Sequence, residues 1–154
     1  MDDIQIIDDV FNREERDLIW NLCINSKYSY GERDRQGGPI VGLVSELDPS
    51  NFISKIILNK IQYSSVIRMY INCFAASEWP LFHVDSPVGK TVLYYPHYVY
   101  DMDEGGETQF LRPNDTILGV RPKPNRMVIF DSNLTHKATT YRSGHRFTVA
   151  IKVI

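Results

Sequence analysis

From Ser64 to the C-terminus the chain is a succession of short apolar runs separated by turn-forming residues, and no other feature constrains the fold as strongly. The last run is the clearest. In Arg146-Phe147-Thr148-Val149-Ala150-Ile151-Lys152-Val153 strict alternation puts Phe147, Val149, Ile151 and Val153 on one face of a strand and Arg146, Thr148, Ala150 and Lys152 on the other. The same criterion predicts strands near residues 66–74, 81–85, 91–95, 107–111, 117–120, 127–130 and 137–140. Eight closely spaced strands imply a two-sheet jelly roll.

The residues before Ser64 read differently. A first strand is expected over 4–11, then a helix over about 13–25, opened by Asn12 with Glu15 in capping-box spacing and carrying Leu18, Ile19 and Leu22 as an apolar stripe. A second helix is expected from about Asp48-Pro49-Ser50, with Phe52, Ile53, Ile56, Ile57 and Ile61 on its buried side. Between them, residues 28–42 hold Gly31, Gly37, Gly38, Pro39 and Gly42 and read as a long loop, a surface loop or a lid. The fold class expected is therefore mainly β with two supporting N-terminal helices. The 154 residues are expected to form one domain, with helical support over about 1–63 and a jelly-roll core over about 64–154.

Composition matters mainly for what it excludes. A formal charge of −2 and a pI near 6.1 provide no general attraction to a phosphate backbone, so nucleic acid is not an expected partner. Cys23 and Cys73 match no zinc or redox spacing and read as buried, reduced thiols. With an acidic start and no apolar run of spanning length, no membrane is expected and the protein reads as cytoplasmic.

The chemistry is carried by His83-Val84-Asp85. On extended backbone the histidine and the aspartate point the same way, so both can ligate one ion, and His136 is the candidate third ligand. Two histidines and one carboxylate are the set that holds non-haem Fe(II) on one face and leaves positions open. Alone, His-x-Asp is a common spacing that also fits an ordinary surface pair. It is strengthened by four neighbours: Thr91-Val92-Leu93-Tyr94-Tyr95, Gly105-Gly106-Glu107-Thr108, the run from Arg121 to Phe130 that leads to His136, and Arg146 opening the final strand.

In this order and at these spacings the motifs resemble those of the 2-oxoglutarate- and Fe(II)-dependent dioxygenases, in particular the prolyl-4-hydroxylase-like branch, over about residues 66–154. The resemblance implies a distorted double-stranded β-helix with Fe(II) held by His83, Asp85 and His136. It implies Arg146 as the residue that binds the distal carboxylate of 2-oxoglutarate, which suits a guanidinium because it is always charged and can donate two parallel hydrogen bonds. Tyr95, Thr148, Leu93 and Asn72 are the further co-substrate residues that it suggests, with Tyr70 on the face of Asn72. The expected activity is oxidative decarboxylation of 2-oxoglutarate by molecular oxygen, coupled to hydroxylation of an unactivated C–H bond, with ascorbate as a possible reductant. Expected substrates are a peptidyl proline, or a free amino acid or small metabolite.

Other readings start from the same residues. A jelly roll that senses 2-oxoglutarate or metal without turnover keeps the ligand set, and a nucleic-acid demethylase shares it but lacks a basic track. The cupin set, with two histidines and a glutamate, is absent. Two departures from the family pattern stand out: Asn125 where glycine is common, acceptable because asparagine also tolerates positive φ, and Pro96-His97 after the two tyrosines. His97 and His145 read as loop and turn residues, Asp101, Asp103 and Glu104 as a solvated acidic loop, and Trp79, Tyr98 and Tyr100 as packing near the mouth.

Overall fold

The computed structural model describes residues 3–154. Its elements in chain order are β1 (Ile4–Ile7), α1 (Arg13–Asn25), β2 (Ser29–Tyr30), β3 (Leu43–Glu46), α2 (Phe52–Leu58), β4 (Val66–Ala75), β5 (Lys90–Tyr95), β6 (Thr108–Leu111), β7 (Ile117–Val120), β8 (Arg126–Asp131), β9 (His136–Ala138) and β10 (His145–Val153). Seven strands form a major antiparallel sheet in the order β1-β8-β5-β10-β4-β3-β2, and three form a minor one, β7-β6-β9. No described helix is long and apolar enough to cross a membrane.

The helices form where their ends are satisfied. Asn12 accepts from the Glu15 amide while the Glu15 carboxylate accepts from the Asn12 amide, so the expected capping box opens α1, which buries Ile19 and Cys23. For α2 the cap is Asn51, one residue beyond the expected start, with Asp48 closing a turn onto Ser50 ahead of it. Phe52, expected on the buried side, is exposed, because α2 turns Ser54, Ile57 and Leu58 inward.

The period of two on the major sheet divides the interior into two layers. One face, with Met69, Ile71, Val92, Tyr94, Met127, Val149, Ile151 and Val153, packs against Ile19, Cys23, Ile57 and Leu58 of the helices. The other, with Tyr70, Leu93, Tyr95, Val128, Phe130 and Ala150, packs against Phe110 and Val120 of the minor sheet. Each fully buried large aliphatic side chain contributes roughly 1.5–3 kcal/mol. Most of that stabilisation lies on the helix side.

Several expected boundaries move. β1 stops at Ile7, ahead of Asp9 at φ 54°. Residues 28–42 are not all loop: Ser29 and Tyr30 pair with Leu43 and Val44, and Arg33 bridges Ile40. Together with β1, these strands make the N-terminal part a contributor to the major sheet as well as its helical cover. Residues 81–85 form no strand; His83 makes a single antiparallel bridge to His136, each amide donating to the other's carbonyl at 2.9 and 3.0 Å. A proline at 80 and another at 87 bracket this piece and limit ladder pairing.

Both departures from the family pattern have a structural role. Asn125 sits at φ 61° and is buried, its Oδ1 accepting from the Phe11 amide and the Tyr94 hydroxyl, its Nδ2 donating to the Phe11 carbonyl. His97 lies in the loop after β5 but turns inward between Trp20, Phe147 and Tyr141, where its Nε2 accepts from the Phe147 amide at 2.9 Å. Burial pushes its pKa down to about 4, helped by the positive charge of Arg146.

A prediction follows from that bond. The unfolded chain protonates this histidine near its ordinary value of about 6.5, the folded chain only near 4, so stability present above about 6.5 is lost as pH falls through that window. The loss attributable to His97 is on the order of 3 kcal/mol. Denaturant midpoints between pH 7 and pH 4 should therefore fall more steeply for the wild type than for His97→Gln, whose amide oxygen accepts without titrating; parallel curves would remove His97 as the cause.

Candidate metal centre

His83, Asp85 and His136 converge although they lie on a bridge, a loop and β9. One ligand atom from each lies within 4.8 Å of the others. His83 Nε2 is 3.3 Å from Asp85 Oδ1, and His136 Nε2 is 3.4 Å from Asp85 Oδ2. Ligand atoms bonded at about 2.1 Å to one ion and about 90° apart lie about 3 Å from each other. Each histidine–carboxylate separation is close to that spacing.

The rings are set in the tautomer a cation requires. His83 Nδ1 lies 2.9 Å from the Leu81 carbonyl and His136 Nδ1 lies 2.8 Å from the Leu134 carbonyl. A carbonyl only accepts, so each Nδ1 carries the proton and each Nε2 lone pair faces the centre. Burial pushes His136 down to about 4, keeping it neutral. For His83, burial works in the same direction but is outweighed by the Asp85 carboxylate, the Leu81 carbonyl and Asp34, and its pKa is raised. Burial also raises Asp85, but His83, Lys152 and His136 together hold its carboxyl well below the usual range.

Asp85 is held from behind. Its amide donates to the Ser132 carbonyl at 3.0 Å, and its Oδ2 accepts from Thr91 Oγ1 at 2.7 Å and pairs with the Lys152 ammonium. Among the described residues Oδ1 accepts no hydrogen bond, and His83 Nε2 approaches it to 3.3 Å. The donor set, the tautomers and this free oxygen fit a divalent cation that accepts nitrogen and carboxylate ligands.

A cleft of about 420 Å3 opens beside the trio between the two sheets. Its floor is built by strand register. On β10, Thr148 lies opposite Asn72, Ala150 opposite Tyr70 and Leu93, and Lys152 opposite Arg68 and Thr91. Deep in it Arg146, 1% exposed, donates from Nε to the Gly106 carbonyl at 2.9 Å and from its terminal nitrogens to Thr148 Oγ1 at 2.8 Å and Thr108 Oγ1 at 3.2 Å. The Tyr95 ring lies 5.6 Å from the guanidinium carbon. All of these partners are neutral. Gly106 takes φ 82°, and a Cβ there would come within 2.3 Å of the Tyr141 ring, so glycine lets this carbonyl reach Arg146.

Of the residues singled out in the sequence, His83, Asp85, His136, Arg146, Thr148, Asn72, Leu93 and Tyr70 all line the cleft. Tyr95 is fully buried just outside it, its hydroxyl 2.7 Å from Thr108 Oγ1, so it braces the threonine that does face the space. The cleft also takes in Thr108, Ser132, Lys152, Glu32 and Asp34, with Thr91 behind Asp85, and none of these is among the site residues expected from the sequence. Lys152 could have been found, since it shares the face of Arg146 and Thr148; the acidic pair could not, because residues 28–42 carry no motif.

No sequence-family model and no curated protein sequence matches the chain. Its structure, in contrast, is similar to several solved ones. A prolyl-4-hydroxylase from Pseudomonas putida superposes with a TM-score of 0.79 at 10% identity, covering 97% of this chain and 91% of that one. A prolyl hydroxylase from Trichoplax adhaerens, in complex with a hypoxia inducible factor oxygen degradation domain peptide fragment, gives 0.77 at 14% identity, covering 98% and 83%. HygX from Streptomyces hygroscopicus, with nickel and 2-oxoglutarate bound, gives 0.72 at 9% identity, covering 97% and 81%. The chain has the jelly-roll fold of the 2-oxoglutarate/Fe(II) oxygenases, in the form shared by the prolyl-4-hydroxylases.

If the trio is the metal centre, calorimetry should find one Co(II) or Mn(II) bound per chain. Asp85→Ala should weaken it at least about a hundredfold, and Thr91→Val, which removes only the brace behind the carboxylate, about tenfold. Unchanged affinity in Asp85→Ala would refute the assignment.

Proposed function

We propose that the protein is a 2-oxoglutarate-dependent dioxygenase that uses Fe(II) held by His83, Asp85 and His136 to hydroxylate an unactivated C–H bond, with residues 1–154 acting as one catalytic domain. The observation that carries this reading is Arg146. A guanidinium buried without an anion is costly, by several kcal/mol even after relaxation, and among the described residues Arg146 has hydrogen-bond partners but no carboxylate. It faces the same cleft as the His-Asp-His trio. A small dicarboxylate supplies the missing charge at one end and ligand oxygens at the other.

The fold likeness to HygX, solved with nickel and 2-oxoglutarate bound, supports 2-oxoglutarate as that dicarboxylate. When bound, iron and 2-oxoglutarate supply the oxidising chemistry: R–H, oxygen and 2-oxoglutarate become R–OH, succinate and carbon dioxide. The chain binds, orients and excludes water. Arg146 and Thr148 hold the distal carboxylate, with Tyr95 acting through Thr108, while Asn72 and Leu93 border the chain of the co-substrate. Phe110 and Phe130 pack against His136, with Phe130 edge-on at 4.7 Å, and keep bulk water from that side.

The test is direct. Fe(II)-loaded protein with ascorbate, oxygen and 2-oxoglutarate should release succinate in excess of a metal-free control. Arg146→Met should weaken 2-oxoglutarate binding about a hundredfold while leaving Mn(II) affinity unchanged, because removing one member of a bidentate charged pair costs roughly 2–5 kcal/mol. Binding of 2-oxoglutarate without succinate release from any substrate would instead define a sensor.

A further inference from the structure

The cleft has a second charged side, opposite the demands of the co-substrate. Lys152 projects from β10 with its side chain 15% exposed, and among the described residues its one anionic partner is Asp85. That carboxylate is a metal ligand in the reading above. A divalent cation on Oδ1 shares that one negative charge with the ammonium on Oδ2, so Lys152 is left a largely buried cation that is only partly compensated. Arg68, directly across the sheet from it, cannot serve as an anion's primary site because it is already taken. Its Nη1 and Nη2 pair with the two Glu32 oxygens at 2.8 and 3.1 Å, and it also pairs with Glu46.

The opposite charge stands on the other wall. Asp34 lines the cleft with its side chain 13% exposed. Its Oδ2 accepts from the Leu81 amide at 2.6 Å, and its Oδ1 lies 3.8 Å from His83 Nδ1, whose proton goes to the Leu81 carbonyl. No lysine or arginine pairs with it among the described residues. With a cation at the trio, the cleft therefore presents one under-compensated cation, Lys152 beside Asp85, and one anion without a cationic side chain, Asp34 beside His83.

The same residues limit size. Glu32 ties the 28–42 segment to Arg68 on the major sheet, and two residues later Asp34 ties it to Leu81, next to the His83 bridge on β9 of the minor sheet. The segment thus spans from one sheet to the other along the cleft. About 420 Å3 must be shared with the co-substrate, which leaves room for a second molecule of similar size.

We infer that the substrate is a free amino acid, its carboxylate set against Lys152 and its ammonium against Asp34. This rests on the dioxygenase reading and deepens it. Both charges of the zwitterion are used, so capping either end should be felt at one residue only. The apolar remainder of the lining, Val41, Ile67, Phe74 and Val84, is where its side chain would lie.

The experiment is calorimetry on the full chain loaded with Zn(II), which blocks turnover, and with 2-oxoglutarate. The twenty coded L-amino acids are titrated; then the strongest binder is compared with its α-amide, its N-acetyl derivative and a doubly capped proline-containing decapeptide. At least one free amino acid should bind, with the amide and the N-acetyl form each at least tenfold weaker. Lys152→Met should weaken the free acid at least tenfold and leave the amide unchanged; Asp34→Asn should do the same for the free acid against the N-acetyl form. The inference is overturned if 2-oxoglutarate binds and no amino acid does, if the decapeptide binds as well as the free acid, or if Lys152→Met weakens acid and amide alike together with Zn(II), which would make Lys152 a brace for Asp85 only. Failure of 2-oxoglutarate itself to bind would instead overturn the dioxygenase reading and this inference with it.

Discussion

The burial of Arg146 without an anion is the constraint to which the rest of this molecule answers. A guanidinium taken out of water loses several kcal/mol of hydration, and only part of that is returned by hydrogen bonds to neutral oxygens. The fold supplies three of these from three places: Thr148 on the same strand, Thr108 at the start of β6, and the Gly106 carbonyl in the turn before it. Two of the three belong to the minor sheet or its approach. The closing of that sheet over the major one is thus keyed to a charged side chain, and the energy left uncompensated is available to an anionic ligand.

That arrangement is possible because β10 serves two environments at once. It lies in the middle of the seven strands, between β5 and β4, and its alternate residues belong to different layers. A shift of one residue in its pairing would carry Arg146 and Lys152 into the helix-side core and Phe147 and Ile151 into the cleft. The apolar layer therefore fixes the register, and the register places Thr148 against Asn72 and Lys152 against Arg68 and Thr91. The His-Asp-His trio follows a different logic. His83 is held by a two-bond bridge to His136 and by its ring's bond to a carbonyl two residues back, a geometry that His136 repeats with Leu134.

These differences account for what could be read from the chain alone. The alternation of residues 146–153, the capping box at Asn12 and the positive φ of Asn125 are local, and each appears where expected. So does the convergence of His83, Asp85 and His136, inferred from a two-residue spacing that extended backbone satisfies with or without a ladder. What escaped was non-local. β2 is two exposed residues whose pairing with β3 depends on β3 first lying beside β4, and no periodicity in Ser29-Tyr30 announces it. Phe52 is apolar yet exposed, since helix phase there is set by Ile57 and Leu58. Thr108 and Asp34 gain their roles only from partners that are distant in sequence, Arg146 and Leu81, and Thr91 gains its role from Asp85 across an irregular loop.

Two interior layers also explain how so small a molecule can carry so many buried charges. Arg146, Lys152, Asp85 and Asp34 all face the space between the sheets, where each costs stability unless partnered. The helix-side layer contains none of them; it is Phe11, Ile19, Ile57, Met69, Ile71, Val92, Val149 and Ile151, all buried and apolar. Stability is concentrated on one face of the major sheet and chemistry on the other. The sheet between them transmits register but keeps the charged layer out of the apolar one, so residues of the cleft wall can be exchanged to suit a ligand with little effect on the packing that holds β10 in place.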